Sequence, residues 1–103
     1  MSITTASVTT AGNIVYTSSG NTAVTWLSLN NWGPANVTAN LYVVPNGSSE
    51  STSNQVYYAL SLASGDTYQI YVGNEKLLLE SGDFIQVDAT ANSVTAVTSF
   101  TSI

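Results

Sequence analysis

Apolar and polar residues alternate along most of this chain with a period of two, the pattern of strands that turn one face to a core. Val37, Ala39, Leu41 and Val43 point one way, and Thr38, Asn40, Tyr42 and Val44 the other. In the next run Val56, Tyr58, Leu60 and Leu62 make the apolar face, opposed by Gln55, Tyr57, Ala59 and Ser61. Tyr68, Ile70 and Val72 then alternate with Thr67, Gln69 and Tyr71, and Ile85, Val87 and Ala89 extend the inward set. Further strands are predicted at residues 2–10, 13–17, 22–30, 75–80 and 93–103, and no segment has helical period. Short strands at roughly 8–12-residue spacing predict an all-β sandwich or barrel.

One segment repeats. Leu62-Ala63-Ser64-Gly65-Asp66-Thr67-Tyr68-Gln69-Ile70 returns as Leu79-Glu80-Ser81-Gly82-Asp83-Phe84-Ile85-Gln86-Val87. Each copy reads as strand, tight turn, strand: glycine accepts positive φ and the Asp side chain bonds nearby backbone. Tyr68, Ile70, Ile85 and Val87 are the residues these copies should bury. The connections carry turn formers, as in Ala11-Gly12-Asn13, Ser18-Ser19-Gly20-Asn21 and Asn30-Asn31-Trp32-Gly33-Pro34. Residues 45–54 form the one long loop, with no apolar residue after Pro45, so it is expected to be solvated and mobile. Neither half of the chain could make its own core, so residues 1–103 are one domain.

Composition narrows the function. Charged residues are 7% of the chain, far below the usual level of about 25%, and Ser, Thr and Asn take their places. With 44% hydrophobic residues the chain belongs to the folded class. It has no histidine, no cysteine and a single cation, Lys76, which removes most catalytic and metal-binding schemes; no cofactor is expected. A net charge of −5 leaves counterion release from nucleic acid almost nothing to act through. The first residues lack a basic and apolar leader and no run approaches a membrane span, so a soluble protein made in a cytoplasm is expected. Two sequon matches, at Asn36 and Asn46, read as chance in an Asn-rich and Thr-rich chain.

The close carboxylate pairs are Asp83 with Asp88 and Glu75 with Glu80. Asp66 and Asp83 hold equivalent turn positions, so a turn role explains them better than glycosidase chemistry. No histidine stands ready to activate a Ser or Thr, and no enzymatic activity is expected. The aromatics are more pointed. Trp26 alternates with Val24 and reads as core, whereas Trp32 lies in a turn, where it caps the sandwich or reaches a partner. Tyr57, Tyr71 and Phe84 fall opposite their strands' apolar series and, with Tyr42 and Trp32, form the candidate interface. The chain also lacks the lysines and inward charges that guard sheet edges, so its edges should be covered by further copies or another protein.

Three runs carry a resemblance: Ile14-Val15-Tyr16-Thr17-Ser18-Ser19-Gly20-Asn21-Thr22-Ala23-Val24, then Leu27-Ser28-Leu29-Asn30-Asn31, then Val37-Thr38-Ala39-Asn40-Leu41-Tyr42-Val43-Val44-Pro45. With the two Ser-Gly-Asp elements they resemble a recurring small structural protein of tailed bacteriophages, over about residues 14–103. Asn21, where such turns often carry Lys, and the long 45–54 loop depart from it. The resemblance implies a virion accessory protein: a capsid decoration or cement protein, or a neck, tail or fibre component. Its implied partners are the major capsid protein or another virion protein and further copies of itself, with a trimer favoured. Together these readings predict a compact antiparallel β-sandwich, jelly-roll-like, with an immunoglobulin-like sandwich as the alternative, located in the virion. A carbohydrate-binding domain for host attachment is the competing function.

Overall fold

The computed structural model describes residues 2–70 and 76–103. Its strands are β1 (Ser2–Val8), β2 (Asn13–Thr17), β3 (Thr22–Asn31), β4 (Val37–Val44), β5 (Gln55–Leu62), β6 (Thr67–Ile70), β7 (Leu77–Leu79), β8 (Phe84–Ala89) and β9 (Val94–Ser102). Two antiparallel sheets pack face to face, one ordered β1-β9-β3-β6 with β7 also on β3, the other β2-β8-β4-β5. The first four strands thus pair with the last ones in reverse: β1 with β9, β2 with β8, β3 with β6 and β7, β4 with β5. A long hairpin rolled upon itself gives this order, that of a jelly roll and not of the immunoglobulin-like alternative.

Between the sheets, Val8, Val24, Leu27, Leu29, Leu41, Leu62, Ile85, Val87 and Val94 are almost wholly buried. Each such aliphatic contributes about 1.5–3 kcal/mol by leaving water, so the period-two pattern selects this face. Ile70, Ile85 and Val87 lie inside as expected. Tyr68 does not: it sits at the sheet edge, 36% exposed. Other departures come from bulges, which add a residue and reverse the strand's phase.

Strand β5 carries two. Ala39 faces Leu60 and Leu41 faces Tyr57, so three steps on β5 match two on β4; Tyr42 then faces Gln55. At the first bulge Ala59 takes a positive φ of 53°, and its N–H donates to Asn40 Oδ1 at 2.8 Å. Leu60 and Leu62 keep the inward phase, but Tyr57 packs on the core while Val56 and Tyr58 turn to solvent. A bulge in β3 between Val24 and Trp26 likewise leaves half-buried Trp26 outside the core cluster. In β4 Val43 packs half-buried on the core, yet Val44 and Tyr42 on the opposite face are buried too. Lying between β8 and β5, that face is flanked by Phe84, Gln86 and Gln55.

The two Ser-Gly-Asp copies are corners at which the chain passes between sheets, from β5 to β6 and from β7 to β8. Gly65 and Gly82 supply φ of 82° and 89°. Each corner docks on a buried polar residue by the same pair of bonds. Asn31 N donates to Asp66 O and Asn31 O accepts from Gly65 N; Ser18 N donates to Asp83 O and Ser18 O accepts from Gly82 N, all at 2.8–3.0 Å. The 45–54 loop is exposed, as expected, but ordered by its own bonds around a short 3₁₀ turn (Thr52–Asn54), capped reciprocally by Ser51 and Asn54.

Candidate interaction surface

At one end of the sandwich the β3–β4 connection is organised by Asn31, the last residue of β3, which is wholly buried. Its Nδ2 donates to the carbonyls of Ala35 and Leu62 at 2.8 and 3.0 Å. Its Oδ1 accepts Gly33 N at 3.1 Å and Ser93 Oγ at 2.9 Å. With both amide hydrogens and both lone pairs used, the side chain is satisfied. It ties the 32–36 loop, the end of β5 and the β8–β9 connection together. Gly33 is required here, because a Cβ on it would lie 2.7 Å from the Ser93 Cβ.

Trp32 stands on this anchored backbone, its N–H donating to Ser93 O at 3.0 Å, and its indole is 64% exposed. Asn31 caps the end of the sandwich; Trp32 projects from it. The expectation that Tyr57 is outward is corrected by the β5 bulges. Tyr57 meets Tyr68 edge-to-face at 5.7 Å, closing the seam between the edge strands β5 and β6. Tyr42 is buried, its hydroxyl accepting Gln55 Nε2 at 3.3 Å. Burial, then the Asp88 and Glu50 carboxylates, raises its phenol above the ordinary value. Phe84 does face outward, half-buried, between Thr17 and Val44. Tyr71 lies outside the described residues. The pattern therefore brings Phe84 and Tyr42 to one sheet face, leaves Trp32 at the end, and puts Tyr57 inside.

Sequence reasoning missed Tyr58, 79% exposed, and its neighbour Val56. Their signal was the consecutive Val56-Tyr57-Tyr58, which no period-two strand buries on one face.

Charge is distributed unevenly. Every charged residue lies between Glu50 and Asp88, so β1, β2, β3, β4 and β9 have none. Rows run across the outer face of the β1-β9-β3-β6 sheet: Thr5, Val97, Ser28 and Gln69, then Ser7, Thr95, Asn30 and Thr67. Asn30 Nδ2 donates to Thr67 Oγ1 at 2.9 Å, and the face is uncharged. On the other sheet Asp88 accepts Asn40 Nδ2 at 2.8 Å, while Asp83 at the β7–β8 corner accepts Asn46 N and Glu80 N. Asp83 and Asp88 are thus at opposite ends of β8 and cannot flank one glycosidic bond. Glu75, of the second pair, lies outside the described residues.

An open hollow of about 330 Å³ lies between Asn36, Thr38, Ser61 and Thr90. No aromatic lines it, so it offers no stacking platform for a sugar. No described helix is long and apolar enough to cross a membrane. Comparisons with protein-family models, curated proteins and solved structures gave no match.

Proposed function

We propose that the protein is a non-enzymatic bacteriophage virion structural protein, a capsid decoration or cement protein that binds the capsid surface as a homo-oligomer. The observation that carries this reading is Trp32, an indole 64% exposed on backbone fixed by the four side-chain bonds of buried Asn31. An aromatic anchor on a rigid loop loses little conformational freedom on docking, and such residues dominate interface energy. The uncharged outer sheet supports the same reading, since Ser, Thr and Asn side chains pack against protein without desolvating ions. The sequence resemblance over residues 14–103 supplies the virion context.

Co-sedimentation with undecorated capsids assembled from the major capsid protein of the same phage tests the proposal. The parent should pellet with the particles, and Trp32→Ser, with unchanged circular dichroism, should bind at least about tenfold more weakly. A parent that ignores capsids but binds a glycan array through Trp32 or Tyr58 would put carbohydrate recognition in its place.

A further inference from the structure

Five described strands end the two sheets, and four are poor templates for another chain. Strand β2 is five residues long with a register shift at Val15, β5 has two shifts, and β6 and β7, which share the far edge of β3, have four and three residues. Strand β1 differs. Its seven residues pair with β9 in unbroken register, and it contains no proline, glycine or charge. Among the described residues β9 is its one strand partner, so alternate N–H and C=O groups along its other side face water. An edge with no blocking device is a pairing site for a further strand.

Two observations identify that strand. Ile3, on the outward phase of β1 with Thr5 and Ser7, is 70% exposed, and a strand paired beside β1 would cover its flank. Strands β1, β2 and β9 also carry no charge in a molecule of net charge −5, so two copies can meet here without like charges at the seam. We infer that a second copy of this chain pairs antiparallel with β1 about a twofold axis at Thr5, joining two sheets into one. Thr5 then faces the partner subunit's Thr5, and Ile3 faces the partner subunit's Ser7. An isologous contact of this kind is self-complementary. It produces dimers, or even-numbered assemblies built from them, and not an isolated trimer.

The inference rests on the proposed function only in treating the protein as an oligomer. Loss of capsid binding in Trp32→Ser with unchanged sedimentation separates the two.

Sedimentation velocity on the parent, Thr5→Lys, Thr5→Glu and an equimolar mixture of the two variants tests it. The Thr5 side chain is exposed, and opposed Cβ atoms in antiparallel pairs lie about 4.5–5.5 Å apart, where like charges repel. The parent should sediment as an even-numbered species, each variant should associate at least about tenfold more weakly, and the mixture should re-form the dimer. A parent that is monomeric at about 0.1 mM, variants that keep the parent's mass, or a mixture that stays apart would overturn the inference. Amide exchange on the parent reads the contact without substitution: exchange in β1 should slow as concentration rises, and concentration-independent exchange would contradict it.

Discussion

The two flanks of the sandwich solve the same problem differently. Where β5 and β6 end their sheets, the strands are bulged or short, Tyr57 and Tyr68 close the gap between sheets, and Glu50 and Asp66 lie in the adjoining connections. Where β1 and β2 end theirs, Val8, Val15 and the Tyr16–Phe100 ring contact seal the interior, but β1 is regular in register, uncharged and carries exposed Ile3. One flank is finished within the monomer; the other keeps an open edge strand, which is where we infer a second chain pairs. The lesson is that edge protection comes from backbone irregularity as much as from charge, and a chain poor in charge places its irregularities where it must stay unpaired.

Substitutions can break this contrast at either flank. The largest effect on folding is expected from Tyr57→Ala, which removes a ring packed on the core and against Tyr68 and should cost about 2–3 kcal/mol in urea unfolding; a loss below about 0.5 kcal/mol would mean that the ring pair does not seal the flank. Asn40→Ala removes the side chain that holds both the Ala59 bulge and Asp88, and should cost about 1–2 kcal/mol. Its second readout is solubility, since a straightened β5 becomes a pairing edge and should self-associate.

Tyr42 adds a smaller, pH-dependent effect. Because its folded phenol titrates above the unfolded value, near 10, the neutral form stabilises the fold fully below that value. The contribution is lost as pH rises through the raised folded value. Tyr42→Phe should flatten alkaline unfolding curves in that window. Ile3→Ser on the other flank should change monomer stability by less than about 0.5 kcal/mol, with its effect confined to association.

How much of this was legible follows from where the period held. Strand positions and the jelly-roll class were readable because Val37, Ala39 and Leu41, or Ile85, Val87 and Ala89, keep strict alternation over a buried face. The bulges were not, since Ala59 at positive φ has no residue-type signature. It exists because Asn40, distant in sequence, receives its N–H. A hint lay in β3, where the apolar series changes phase from Val24 to Leu27 and Leu29, which places Trp26 outside. The Asn31 network was unreadable because its partners come from three separate segments, the 32–36 loop, the end of β5 and the β8–β9 connection, and the long loop's order comes from its own Ser and Asn side chains.

Oxidation of Thr5→Cys tests the central claim most directly, the twofold pairing of β1. The chain has no cysteine, so any disulfide formed by this variant joins two chains, and opposed Cβ atoms on an antiparallel pair stand close to the range a disulfide spans. On non-reducing gels Thr5→Cys should pass fully into a covalent dimer under mild oxidation, while Ser61→Cys, exposed on the finished flank, stays mostly monomeric. Cross-linking of Thr5→Cys no faster than Ser61→Cys would contradict the account.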